Sequence, residues 1–212
     1  RTGLPKDVVD DVIFAQCYPS MDAPALGRVV ALDAGLPVEV TGMQIDRRCG
    51  SGLQAIINAT MQIATGAMDC VIAGGAESMS NVPYHDHGSR WGKKMGDNVL
   101  VDALTQGLQD PIDDYHMGIT AENVAERHQV TREEQDALAV EGHQRATRAI
   151  AEGRFASQIV PVEIKTRKGT VVFDTDEHPR ADASMEPLAG MKPVFKKDGT
   201  VTAANASGIN DG

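Results

Sequence analysis

The sequence predicts an α/β fold, and three observations carry that prediction. Apolar runs of strand length alternate with segments of helical period through residues 11–78. A glycine follows each helical segment, at Gly35 and Gly66. The balance of 42% hydrophobic, 24% charged and 4% aromatic residues with 21 glycines is that of a Gly- and Ala-rich α/β protein rather than a disordered chain.

Residues 11–17 read as a buried strand, and 24–34, carrying Leu26, Val29, Val30 and Leu32, as a helix ending at Gly35. Residues 41–46 are a short strand. The apolar residues 53, 56, 57 and 61 share one face of a helix running from Leu53 to Ala64 and closed by Gly66. The run 70–75 has the length and branched content of a strand buried on both faces, as parallel strands are.

After Ser80 the character changes. Residues 81–118 mix Pro, Gly, His, Asp and Lys with little periodicity, which predicts a long excursion from the sheet. Order returns at 120–123, and Thr131 and Glu134 stand at capping-box spacing ahead of a helix to about Glu152, with Gly153 as its stop. Residues 159–164 and 170–173 read as paired strands, Pro161 favouring an edge. The remainder is loop until 200–204. The expected organisation is thus a mixed, mainly parallel sheet with helices over residues 1–80, an inserted loop domain over 81–200, and a return to the sheet at 201–212. The chain enters a strand almost at once and stops at Gly212 without a closing element, so it is expected to be a segment of something longer.

Net charge and cysteine usage exclude several functions. At −10 the chain lacks the basic balance that nucleic acid or an anionic membrane demands, so any anionic ligand must meet a local basic patch. No run approaches the length of a membrane helix, and no signal pattern opens the chain. Three irregularly spaced cysteines do not make a disulfide framework, which points to a reducing compartment and a cytoplasmic location.

Chemistry concentrates at Cys49. It sits within Cys–Gly–Ser–Gly between a short strand and a helix, where unpaired N–H groups and the helix dipole favour a thiolate. The flanking glycines allow a sharp turn and close approach of a substrate. On these residues alone Cys49 reads equally well as a buried structural cysteine. Two further stretches decide between the readings: 73–80 (Ala–Gly–Gly–Ala–Glu–Ser–Met–Ser) and 205–212 (Asn–Ala–Ser–Gly–Ile–Asn–Asp–Gly).

Together with 49–55 (Cys–Gly–Ser–Gly–Leu–Gln–Ala), these resemble three signatures of the thiolase family, in that family's order and approximate spacing. Gly27–Arg28, Tyr115–His–Met–Gly118, 120–123 (Thr–Ala–Glu–Asn) and 131–136 extend the resemblance along the whole chain. It implies a thiolase fold, with residues 81–200 as a loop domain that covers the active site and binds coenzyme A. It also implies that Cys49 accepts the acyl group as a thioester. His116 and Met117 then fall in a loop over the pantetheine and acyl part of the ligand, as in short-chain biosynthetic thiolases, and Ser207 matches a serine that contacts pantetheine. Arg180 falls where the family often has a basic residue near the adenosine and its phosphate, and Phe195 where it has an apolar contact; no motif anchors 174–190.

Each residue also has a plain reading: His116 a hydrogen-bonded loop residue, Met117 packing, Ser207 a turn, Arg180 a solvated charge. Glu77 reads as a turn-forming carboxylate rather than an acid catalyst. The triplet His85–Asp86–His87 lacks a third ligand in any motif, so no metal is expected.

Three family motifs do not occur in the chain: Asn–Glu–Ala–Phe, Gly–His–Pro and Cys–x–Gly. Asp46–Arg47–Arg48 stands where the family commonly has Asn and a single basic residue. The resemblance therefore implies an acetyl-CoA acetyltransferase of fatty acid metabolism with coenzyme A as substrate and product and no permanently bound cofactor. It implies a homo-oligomer, dimer or tetramer, and a chain that is inactive alone. The alternatives are a noncatalytic coenzyme A or lipid-binding relative and an unrelated cysteine-dependent acyltransferase.

Overall fold

A computed structural model describes residues 2–212, and the chain falls into two compact units. The first ends at Leu108 and takes in Ile209–Gly212; the second runs Gln109–Gly208. Residues 81–108, grouped with the loop domain in the sequence reading, cluster with the first unit.

The first unit opens with β1 (Asp11–Ala15), α1 (Leu26–Asp33), β2 (Thr41–Ile45), α2 (Ser51–Ala64) and β3 (Val71–Gly75). The strands form a parallel sheet in the order β2-β1-β3, with Ile13 opposite Met43 on one side and Ala73 on the other. The two-residue period of β1 feeds two cores. Val12 packs with Ala31 of α1, and Ile13 with Ala55 and Ala59 of α2. The helices thus cover opposite faces, as right-handed crossovers require when α1 leads from β1 out to β2 and α2 leads from β2 back past β1 to β3. The buried Asp11 carboxylate accepts from its neighbour Val12 N (2.9 Å), from Thr41 Oγ1 on β2 (2.8 Å) and from Gln62 Nε2 on α2 (3.0 Å). Those donors make its burial tolerable. Close packing fixes Gly27 and Gly42: a Cβ on Gly27 would lie 2.3 Å from Val12 O, and one on Gly42 2.5 Å from Arg28 N.

Two expectations need correction here. Leu53, Ile56, Ile57 and Met61 were expected to form the packed face of α2, yet they are 66%, 56%, 41% and 60% exposed while Ala55 and Ala59 meet the sheet. The small residues let the helix lie close on β1, and the large ones point away. β3 is parallel as expected but is an edge strand, partly exposed, because only β1 has neighbours on both sides.

The stretch after β3 holds a hairpin, β4 (Tyr84–Asp86) with β5 (Leu100–Asp102), followed by α3 (Ala103–Gly107). Side-chain bonds, not hydrophobic period, order it. Asp86 accepts from the hydroxyl and N–H of Ser89, the N–H of Gly88 and the amide of Asn98, which hold its carboxyl far below the usual range. Asp102 caps α3 by accepting from Leu104 N at 2.9 Å.

The second unit contains β6 (Gln109–Asp110), β7 (Tyr115–His116), α4 (Met117–His128), α5 (Arg132–Ala151), the hairpin β8 (Val162–Thr166) and β9 (Gly169–Phe173), and α6 (Met185–Ala189). The predicted capping box is present: Thr131 Oγ1 accepts from Glu134 N (3.2 Å) and the Glu134 carboxylate from Thr131 N (2.9 Å). Pro161 lies just before β8 rather than within it. Residues 200–204 form no strand; of the return expected over 201–212, Ile209–Gly212 cluster with the first unit, where Gly212 N donates to Glu77 O at 2.8 Å, while the residues before them stay with the second. Val201 and Thr202 are buried within the second unit, held by the Glu122 carboxylate, which accepts from Val201 N (2.8 Å) and Thr200 N (2.9 Å).

Candidate active site

The first unit places its chemistry at the carboxyl ends of the three parallel strands, where open α/β sheets bind ligands. A cavity of about 240 Å³ there is lined by Ala15, the last residue of β1, and Cys17 beyond it, by Gly75, the last residue of β3, and Glu77 beyond it, and by Cys49, Ser51 and Gly52 at the head of α2. Cys49 is exposed rather than packed into either core of the sheet. It stands two residues before α2, whose N-cap, Gly50, supplies no side-chain hydrogen bond.

The turn bearing Cys49 is tightly tied. Arg48 adopts a left-handed conformation at φ 49°, unusual for a residue with a side chain. Its carbonyl accepts from Ser51 Oγ (2.6 Å), Ser51 N (2.9 Å) and Cys17 Sγ (3.2 Å), and its guanidinium donates to Cys17 O (3.2 Å). Asp46 accepts from Arg48 N at 2.8 Å. The nucleophile turn is thus latched to the end of β1 through Cys17. Burial pushes the Cys17 thiol up; its contact with the Ser51 hydroxyl at 3.8 Å opposes this, while the Glu77 and Asp46 charges add to it. Glu77 is the turn-forming carboxylate that the sequence suggests: it accepts from Cys17 N (2.7 Å) and Tyr18 N (3.2 Å). A larger cavity, about 960 Å³, shares Cys17 and Arg48 and is otherwise lined by Tyr18, Met43, Val82 and Val101 among others.

In the second unit, two of the candidate residues, His116 and Phe195, meet, and Met117 follows His116 along the chain. His116 caps α4, its Nδ1 accepting from Gly118 N (3.0 Å), and its ring stacks on Phe195 with centroids 4.8 Å apart. Met117, the first residue of α4, is 41% exposed beside them. Only glycine fits at 118, since a Cβ there would lie 2.2 Å from the Phe195 ring. Arg180 and Ser207 are not drawn into this group by any bond. Arg180 is exposed and its backbone N–H donates to His143 Nδ1 on α5 (3.2 Å). Ser207 is exposed in a stretch without regular structure.

The firmest element of the Asn–Ala–Ser–Gly motif is Asn205, whose amide donates to the buried Asp136 (2.9 Å) and Thr200 O (3.1 Å). Asp136 also pairs with Arg132 at 2.7 Å. The sequence reading missed Cys17, Arg48 and Asn205. For Cys17 a signal exists, its place just past a parallel strand; for the left-handed Arg48 none does.

The family model for the thiolase N-terminal domain matches residues 1–212. Beta-ketothiolase BktB of Cupriavidus necator is 51% identical, over all of this chain and 54% of that protein. Acetyl-CoA acetyltransferase of Pseudomonas aeruginosa is 48% identical, over all of this chain and 54% of that protein. Among solved structures, Bacillus anthracis acetyl-CoA acetyltransferase superposes with a TM-score of 0.95 at 49% identity, covering 100% of this chain and 54% of that one. Human mitochondrial 3-ketoacyl-CoA thiolase gives 0.93 at 42% identity, covering 98% and 53%. The chain thus spans about half the length of the relatives it matches.

Proposed function

The chain belongs to the thiolase family, and from that premise we propose that it carries the nucleophile, Cys49, of a coenzyme A-dependent acyltransferase. The observation that carries this reading is the exposed Cys49 at the head of α2, on the wall of a cavity at the carboxyl ends of β1 and β3. The relatives' names add the substrate class, acetyl-CoA and 3-ketoacyl-CoA.

The Cys49 thiolate attacks the thioester carbonyl of an acyl-CoA; the tetrahedral intermediate collapses with loss of the coenzyme A thiolate, which then takes up a proton, and leaves an acyl-cysteine. The α-carbanion of a second acetyl-CoA then attacks that acyl group, forms the carbon–carbon bond and releases the Cys49 thiolate. In reverse, coenzyme A cleaves a 3-oxoacyl-CoA. His116, Met117 and Phe195 offer an apolar, stacked wall suited to pantetheine and the acyl group. Ser207 is a polar contact for pantetheine and Arg180 a cation for the adenosine phosphate. Coenzyme A enters and leaves as substrate and product.

The α-proton base and the oxyanion donors belong to the motifs absent from these 212 residues, so the complete reaction requires the full-length protein. The open apolar face of α2 supports further protein covering it. Association into a dimer or tetramer through residues 81–100 is supported by Trp91 and Met95, 89% and 90% exposed. The free cysteines support a cytoplasmic setting. The test is intact-mass analysis of full-length protein mixed with acetyl-CoA: an added acetyl group mapping to Cys49 is expected, and its persistence in Cys49→Ala defeats the assignment.

A further inference from the structure

We infer that Cys17 is a resolving thiol for Cys49, so that a hydroperoxide converts the pair to an intramolecular disulfide that shields the nucleophile reversibly. The inference rests on the geometry around Cys49 and goes beyond the acyl-transfer reading.

Cys17 and Cys49 line the same cavity of about 240 Å³, and both are free thiols. The Cys17 sulfur lies 3.2 Å from the Arg48 carbonyl oxygen, the atom that precedes Cys49 along the chain. In a trans peptide that oxygen is about 2.8 Å from the next Cα, which puts the Cys17 sulfur within about 6 Å of Cys49 Cα. A cysteine sulfur sits about 2.8 Å from its own Cα, so rotation of the Cys49 side chain brings the two sulfurs towards bonding distance with a small adjustment of the turn.

The two thiols differ in the way such a pair needs. Cys49 is exposed and meets a small oxidant first, while Cys17 is half-buried, held by Arg48 O and by Ser51 Oγ at 3.8 Å. Cys70, the third cysteine, packs in the core beside Val9 and Val12 and does not line this cavity.

The chemistry balances with the hydroperoxide as oxidant. The Cys49 thiolate attacks the peroxide; an S–O bond forms, the O–O bond breaks, and the leaving oxygen takes a proton as water or alcohol. The Cys17 thiol then gives up its proton and attacks the sulfenic sulfur; the S–S bond forms, the S–O bond breaks, and hydroxide leaves with that proton as water. Two thiols and one hydroperoxide yield one disulfide, one water and one water or alcohol. A dithiol reverses the step.

The experiment treats full-length protein with hydrogen peroxide, blocks remaining thiols with N-ethylmaleimide, and digests without reduction. Trypsin leaves Cys49 and Cys70 on one peptide, so a second cleavage before Asp69 is needed to separate them. The expected product is a Cys17–Cys49 linked peptide, two hydrogens lighter than its parts, that disappears with dithiothreitol as Cys49 alkylation returns. In Cys17→Ser the linked peptide is absent, dimedone traps the Cys49 sulfenic acid, and the fraction of Cys49 recovered by dithiothreitol falls severalfold. Sulfinic Cys49 beside an alkylatable Cys17 in the unmutated protein, or a link from Cys49 to Cys70 or to any other cysteine of the full-length protein instead, overturns the inference.

Discussion

The imidazole of His116 lies stacked on the ring of Phe195, with centroids 4.8 Å apart and planes inclined by 17°. The two residues are 79 positions apart in sequence, and the backbone of Gly118 is what lets the Phe195 ring come so close. His116 cannot turn freely either, because its Nδ1 is held by the Gly118 N–H at 3.0 Å. The proposed ligand wall is therefore built in advance.

Gly118→Ala tests this directly. The new methyl group would overlap the Phe195 ring, which must leave its place, and overpacking of that kind costs about 1–3 kcal/mol. Urea unfolding should register the loss, and in full-length enzyme the KM for the coenzyme A ester should rise more than kcat falls. Phe195→Leu removes the stacking without overpacking and should cost about 0.5–1.5 kcal/mol from that contact. An unchanged KM in both variants would remove the wall from the binding site.

The three cysteines should alkylate in a fixed order. Cys49 is exposed, whereas Cys17 and Cys70 are half-buried, and burial also pushes the Cys17 thiol up, leaving less thiolate near neutral pH. Brief iodoacetamide treatment followed by peptide mapping should find Cys49 modified first. Faster labelling of Cys17 or Cys70 in folded protein would contradict the accessibility described for this turn.

Much of the fold is legible in the sequence because residues 11–75 follow simple periods: β-branched runs make β1 and β3, and glycines end α1 and α2. The capping box at Thr131 is equally legible, since it needs only two residues at the right spacing. The packed face of α2 is not. Ala55 and Ala59 carry weak hydrophobic signals, and the strong signals of Leu53, Ile56 and Met61 fall on the exposed side. The hairpin of β4 and β5 is hidden for another reason: Asp86 and its donors order it by polar bonds that no period records. At the candidate site, Cys49 is found from its motif, while its latch, Cys17 with Arg48, arises from a left-handed turn and a contact 31 residues apart. Arg180 and Ser207 rest on resemblance, and the structure joins neither to the group around His116.

Glu122 predicts an acid limb in the stability of the second unit. Burial pushes its carboxyl up, but the N–H groups of Val201 and Thr200 and the Thr200 hydroxyl outweigh burial and hold it below its ordinary value of 4.5. A depressed folded pKa stabilises the protein above the unfolded value, and that stability is lost as pH falls through the folded one. Unfolding free energy should therefore decline as pH drops below about 4.5, the ordinary glutamate value. Glu122→Gln replaces one acceptor oxygen by a donor facing other donors, which should cost about 1–3 kcal/mol at neutral pH and flatten the acid limb. An acid limb identical in wild type and variant would assign it to other groups.

The 212-residue chain alone should be catalytically dead while its full-length parent is active. An exposed thiol at a helix head can attack a thioester, but carbon–carbon bond formation also demands removal of a weakly acidic α-proton and stabilisation of the resulting enolate. A general base contributes about 10²–10⁴-fold and a single oxyanion donor about 10²–10³-fold, so losing several such groups removes measurable turnover. Slow acetylation of Cys49 is compatible with that loss, because it needs only the nucleophile and a departing thiol. Acetoacetyl-CoA thiolysis, followed at the enolate absorbance, should be rapid for the parent, absent for the chain and absent for the Cys49→Ala parent. Robust turnover by the chain would place the base and the oxyanion donors within these residues, and an unimpaired Cys49→Ala parent would take the nucleophile away from Cys49.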